Sequence, residues 1–249
     1  MRTVICLLAN AEEVSIAAAE LVAAQAEKSI KSKGDFSIVL AGGQTPRRAY
    51  ELLARPPLSL RIEWARVHVF WSDERCVPPH DSASNYRMAF DAWLGSVSIP
   101  TAQVHRIRGE LNPREAAMEY QALLKDHFCN RPPRFDLVLL GLGGDGHTAS
   151  LFPHSSAIQD RLSWVAEANS GDEPRVTLTP SIINQAATVA FVVTGSAKAG
   201  ILYKVLHGPR DKLRLPAQAI EPLSADLRWF VDRMAATKLV PRERLDTVS

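Results

Sequence analysis

The residues best placed to do chemistry lie together in Gly141-Leu142-Gly143-Gly144-Asp145-Gly146-His147, directly after the apolar run Phe135–Leu140. An imidazole in a glycine-rich loop at a strand's carboxyl end can act as a general base near neutral pH. The same glycines match the dinucleotide-binding spacing, Gly141-x-Gly143-x-x-Gly146. That motif requires a long helix after the glycines and an acidic residue about 20 positions on. Here Pro153 limits a helix starting near His147 to little more than a turn, and Glu167, the nearest acidic candidate, is too distant. The glycines are better read as clearing space around Asp145 and His147, with Asp145 either orienting the imidazole or closing the loop. No metal is expected, because His147 and His154 are seven residues apart and lack a third ligand. A serine nucleophile is excluded in its usual setting, since no G-x-S-x-G occurs.

Three further strand ends carry polar groups. Gly42-Gly43-Gln44-Thr45-Pro46 follows the strand-like Phe36–Ala41. Thr45 has the chemistry of a helix cap and Pro46 that of the first helical position, with Arg47–Leu53 as the helix. Such a turn can cradle an anion on backbone N–H groups, or it can be a tight connection that binds nothing. Asp73, Glu74 and Arg75 crowd the end of Val67–Trp71, either to hold a sugar hydroxyl and an anion or as a solvated loop with an internal ion pair. Arg175 opens a short β run, and Lys198 lies in the first turn of a helix over Ser196–His207, where a cation is unfavourable unless an anion shares the site. Taken together, N–H donors, one bidentate arginine and one lysine would suit a phosphate monoester.

The elements that must position these groups alternate along the chain. Val4–Ala9 is an apolar run of six residues, and Asn10 with Glu13 caps a helix whose apolar face carries Val14, Ala17, Ala18 and Leu21. Helices are expected near 83–94 and over Arg114–Phe128, and strands over Thr188–Thr194 and Asp226–Val231. Short apolar strands alternating with helices predict an α/β fold: one Rossmann-like domain over residues 1–249, with a mainly parallel sheet and helices on both faces. Ligands of such sheets sit outside the carboxyl ends of the strands, where all four polar clusters fall.

Bulk properties narrow the partners. An apolar fraction of 46% supplies a core, and a formal charge of +2 is too small to imply nucleic acid or a membrane surface. No window approaches about 18 apolar residues, so no membrane span is expected. Cys6, Cys76 and Cys129 are odd in number and form no paired motif, which points to a reducing, cytoplasmic setting. The first residues lack a signal-peptide pattern. The tail from Arg242 reads as a solvated, partly disordered end.

The set "AGGQTP", "WSDERCVPPHDSASNY", "GLGGDGHTASLFP", "RVTLTP" and "GSAKA", in this order, resembles the 6-phosphogluconolactonases, from about residue 5 to beyond residue 220. The resemblance implies hydrolysis of 6-phosphogluconolactone to 6-phosphogluconate, the second step of the oxidative pentose phosphate pathway. It also implies a fold shared with glucosamine-6-phosphate deaminases, and neither metal nor organic cofactor. Carried over by position, His147 matches the general base, and Asp73 and Arg75 match a polar cluster near the sugar. Gly43, Gln44, Thr45, Arg175 and Lys198 match the phosphate side, with Gly42 in the same turn. Gln44 departs from the pattern, which usually has a small hydroxyl residue there.

The related deaminases carry a glutamate directly before the proline that follows the histidine; here Phe152 holds that place, which favours lactone hydrolysis over aldose–ketose proton transfer. A non-catalytic sugar-phosphate sensor would need a nucleic-acid-binding domain for which the chain has no room. The expected partner is therefore a small sugar-phosphate lactone, and the expected state is a monomer.

Overall fold

The computed structural model describes residues 2–129, 132–171, 173–223 and 226–239; the tail from Arg242 lies outside them. In chain order the elements are β1 (Arg2–Leu8), α1 (Ala11–Lys33), β2 (Phe36–Leu40), α2 (Gln44–Leu53), α3 (Leu58–Arg61), β3 (Val67–Trp71), β4 (Asp73–Arg75), α4 (Asn85–Ala92) and β5 (Val104–His105). They continue with α5 (Pro113–His127), β6 (Leu137–Leu140), β7 (Val165–Ser170), β8 (Glu173–Leu178), α6 (Pro180–Ile183), β9 (Thr188–Val193), α7 (Ala199–His207) and β10 (Asp226–Asp232).

Seven strands form a wholly parallel sheet in the order β1-β10-β9-β6-β2-β3-β5. Every residue of β2, β6 and β9 is buried, so both faces of the central strands are covered, as their unbroken apolar runs require. β1 lies at an edge and leaves Ile5 and Leu7 nearly half exposed. The α/β reading of the sequence therefore holds.

Local chemistry explains the first turn of the fold. Asn10 accepts the Glu13 N–H at 3.0 Å and starts α1, which buries Val14, Ala18 and Leu21 and half-buries Ala17. Gly34 ends it in the left-handed region (φ 93°), returning the chain into β2.

Strand order places the site. From β2 the chain proceeds outward to β3 and β5, then returns to β6 on the opposite side of β2. The carboxyl ends of β2 and β6 thus flank a topological switch point, the position where open α/β sheets hold ligands.

A second, three-stranded antiparallel sheet, β4-β8-β7, is an addition to the expected plan. Asp73–Arg75 is its first strand rather than a loop, paired with β8 in the register Asp73–Thr177, Glu74–Val176 and Arg75–Arg175. Two other local expectations are corrected. The cap of α2 is Gly43, not Thr45, so the helix begins at Gln44. Lys198 ends a short 3-10 turn, Ser196–Lys198, and α7 starts only at Ala199.

Candidate active site

At the switch point lies a cavity of about 290 Å³ lined by Gly42, Gly43, Asp73, Arg75, His147, Arg175 and Lys198, among others. Seven of the ten residues singled out from the sequence thus meet there, from five separate parts of the chain.

His147 stands on the loop after β6, whose four residues are buried completely and give it a rigid mount. No helix follows the glycines, so the dinucleotide reading fails. The loop closes on itself: the Gly143 N–H donates to the His147 carbonyl at 2.8 Å, and the Thr148 hydroxyl to the Gly141 carbonyl at 2.8 Å. Gly143 has a steric reason to be glycine. A Cβ there would sit 2.2 Å from His147 Nδ1 and Cε1, a distance no real contact tolerates. The expectation that the glycines clear space around the histidine is met at this position.

Asp145 both orients the ring and closes the loop. Its Oδ1 accepts the His147 backbone N–H at 3.0 Å and lies 2.6 Å from His147 Nδ1. A carboxylate at that distance favours the proton on Nδ1 and leaves Nε2 with its lone pair. Burial pushes the Asp145 carboxyl up, but the backbone N–H, charge and ring of His147 outweigh it, and its pKa falls below the ordinary value. Behind the imidazole packs the ring of Phe152, 4.9 Å between centroids.

The cavity also has a cationic lining of Arg75, Arg175 and Lys198. Arg75 and Arg175 are directly opposed in the antiparallel pair, an arrangement that repels unless an anion lies between or beside them. Arg175 is 14% exposed, donates to Glu173 Oε2 at 2.8 Å, and lies 5.7 Å from the centroid of Phe152. Its Nε is buried without a hydrogen-bond partner among the described residues. A buried donor left in that state costs about 1–3 kcal/mol, which an anionic ligand would recover. Lys198 makes no ion pair with a described residue and faces the same cavity.

Asp73 is the one acid of the lining. It is buried, with Oδ2 accepting the Ser150 hydroxyl at 2.7 Å and Oδ1 the Ser72 hydroxyl at 3.1 Å. Gln44, Thr45 and Asp145 do not line the cavity. Gln44 is the exposed first residue of α2, and the Thr45 hydroxyl is 2.8 Å from that of Thr194. The side chain of Thr45 therefore joins α2 to the end of β9, and only backbone N–H groups at this helix start remain to serve an anion.

Asn85 escaped the sequence reading, and Glu74 was read only as one of a crowded polar trio. Asn85 accepts from Arg75 Nη1 at 2.7 Å and donates to the Asp73 carbonyl at 2.9 Å. A Cβ on Gly42 would meet its Oδ1 at 2.2 Å, so this glycine too answers a close approach. Glu74 is the anchor beneath: its carboxylate accepts the N–H groups of Arg75, Asn85 and Tyr86 (each 2.8 Å) and the Ser84 hydroxyl (2.9 Å). Burial raises its pKa even so. The signal was the run Ser84-Asn85 at a helix start, which reads in isolation as ordinary capping.

Comparison with known proteins places these features in context. The family model described as glucosamine-6-phosphate isomerases/6-phosphogluconolactonase matches residues 9–229. The chain is similar to the 6-phosphogluconolactonase of Nostoc sp., 39% identical over 224 residues that make up 88% of this chain and 91% of that protein. The Synechocystis sp. 6-phosphogluconolactonase is 41% identical over 220 residues, covering 86% and 89% of the two chains. Among solved structures, the 6-phosphogluconolactonase of Trypanosoma brucei superposes with a TM-score of 0.84 at 29% identity, over 96% of this chain and 99% of that one.

Proposed function

The chain belongs to the family of glucosamine-6-phosphate isomerases and 6-phosphogluconolactonases and is an enzyme of the lactonase kind; on that premise we propose that it hydrolyses 6-phosphogluconolactone with His147 as general base. The supporting observation is one carboxylate-oriented imidazole and three cationic side chains lining the same cavity of about 290 Å³.

The phosphate monoester lies against Arg175 and Lys198, beside the backbone at Gly42-Gly43 and the start of α2. Arg175 presents its buried Nε to it, and Lys198 acts as a point charge. Held at that end, the lactone carbonyl is directed to His147, so remote binding energy becomes orientation. His147 Nε2 takes a proton from water as the water oxygen bonds to the carbonyl carbon. The oxyanion that forms is stabilised by Arg75 or by loop N–H groups. The ring C–O bond then breaks, and the departing ring oxygen takes the proton back from Nε2. Asp145 holds the imidazolium between these two transfers, and Asp73 holds sugar hydroxyls.

Phe152 favours this reading over isomerisation. The position next to the imidazole presents an aromatic ring, not a carboxylate that could shuttle a second proton. A single base suffices for an activated ester whose product is a stable carboxylate. The proposal extends to a place in the oxidative pentose phosphate pathway, to a monomeric state and to the cytoplasm, the last supported by three free thiols. Among the described residues no helix is long and apolar enough to cross a membrane.

The test is the rate at which freshly generated lactone disappears, with parent and His147→Ala compared against the uncatalysed reaction. Acceleration lost in the variant, with 6-phosphogluconate binding retained, supports the base. Equal acceleration by both proteins overturns it.

A further inference from the structure

A second cluster of histidines lies away from this cavity. His68 on β3, His105 at the end of β5 and His127 in the last turn of α5 each bring one ring nitrogen within 4.8 Å of the other two. All three are half-buried. We propose that they form a binding site for a borderline divalent transition-metal ion of zinc-like preference, at the end of the sheet remote from the catalytic cavity.

The donor chemistry fits. Neutral imidazole suits zinc, cobalt, nickel and copper, whereas magnesium and calcium require oxygen donors. At a metal–nitrogen distance of about 2.0–2.1 Å, two nitrogens of a tetrahedral site stand about 3.4 Å apart. His68 Nδ1 and His105 Nε2 are already 3.1 Å apart. The third nitrogen closes to that spacing by side-chain rotation within at most about 1.4 Å.

The rings of His68 and His105 stack with an interplanar angle of 9°, and His105 also stacks on Phe70 at 4.5 Å. The orientation of this pair is therefore held by packing together with the one hydrogen bond between the two rings. The His127 ring makes no hydrogen bond to a described residue, so its lone pair is uncommitted. When the ion binds, the ring that donates in the His68–His105 contact moves that proton to its other nitrogen. No net proton need be released.

Access and charge also fit. His127 lines an open cavity of about 400 Å³ together with Lys33, Asp35, Arg134 and Asp136. Lys33 is paired with both Asp35 and Asp136, which offsets its charge near an incoming cation. The cavity leaves room for a water as fourth ligand. An ion here would tie the end of α5 to the β3–β5 edge of the sheet.

The experiment uses the full chain, freed of metal with a chelator and titrated with cobalt(II) while visible absorption and melting temperature are followed. One equivalent with the strong d–d bands of a four-coordinate ion, and a raised melting temperature, are expected. Both responses fall from one equivalent to none in His105→Gln and His127→Gln, and persist in Cys129→Ser. His127→Gln, at the partly exposed end of α5, decides the matter if His105→Gln fails to fold. Lactonase activity in His127→Gln stays at the parent level. Uptake unchanged in His127→Gln, uptake lost in Cys129→Ser, or binding no tighter than ~1 mM overturns the proposal.

Discussion

The two ends of the sheet each gather histidine, and they gather it differently. At the carboxyl end one imidazole has a carboxylate 2.6 Å from Nδ1, a glycine where any side chain would strike the ring, and cations lining the same cavity. At the other end three imidazoles have aromatic rings and one another for neighbours, and their one mutual hydrogen bond is 3.1 Å long. The same side chain is made directional in the first setting and pooled in the second. A carboxylate on one nitrogen aims the other at a single proton. Three unaimed lone pairs within 4.8 Å suit a shared Lewis acid instead.

The sharpest test of that division is to remove one histidine from each end. His147→Ala is expected to lower kcat by roughly 10²–10⁴-fold, the usual worth of a positioned base. His127→Gln should change kcat by less than about 2-fold, since it lies outside the cavity lining. Steady-state rates on fresh lactone check both. A large loss in His127→Gln would show that the two ends are coupled.

Gly143→Ala probes the aim rather than the base. Its methyl would need the space of His147 Nδ1 and Cε1, so the ring must move. A displacement near 1 Å costs ~10²-fold in kcat, with KM and the far-ultraviolet circular dichroism held. An unchanged kcat would mean that the ring's position is not what the loop provides.

How legible each end was follows from the same contrast. Asp145, His147 and their glycines are contiguous, so local rules on helix length and spacing suffice to decide against a dinucleotide site. Gly42 and Gly43 followed likewise from their place after β2. Thr45 misled because its capping chemistry is local, whereas its actual partner, Thr194, is brought by the parallel sheet. Asp73–Arg75 read as a loop because three polar residues cannot announce an antiparallel partner about a hundred positions on; only the pairing with β8 makes them a strand. Asn85 and Glu74 act through contacts that the sequence cannot order in space. The histidine triad was illegible for the same reason: its members sit on three elements, and 37 residues separate the two that touch.

The cationic wall offers the next smaller effect. Arg175→Ala removes a guanidinium whose Nε has no other described partner. Loss of a charge-assisted contact of about 1.5–3 kcal/mol predicts KM raised by roughly 10–100-fold with kcat within a few-fold. Inorganic phosphate should compete more weakly against the variant in the same proportion. If kcat falls and KM does not, Arg175 serves the reacting carbonyl rather than the phosphate, and the two halves of the cavity must be exchanged.

The smallest effect separates the two ends by acid. In metal-free protein, burial and the neighbouring imidazoles hold His105 and His127 down to about 4, with Lys33 adding to the depression and Asp35 and Asp126 opposing it at His127. His68 is lowered as well, chiefly by burial. The unfolded chain binds these protons near pH 6.5, so below that value it takes them up more readily than the native state. The stability in question is thus complete above about pH 6.5 and is lost as pH falls toward about 4. The carboxyl end behaves otherwise: the depressed carboxyl of Asp145 keeps its contribution down to the ordinary carboxylate range, well below that window. Urea midpoints measured between about pH 7 and about pH 5 should therefore fall for the parent chain and fall less for His105→Phe, which keeps the stack on Phe70 and removes one titrating ring. Parallel midpoints in the two proteins would assign the acid sensitivity to groups elsewhere in the fold.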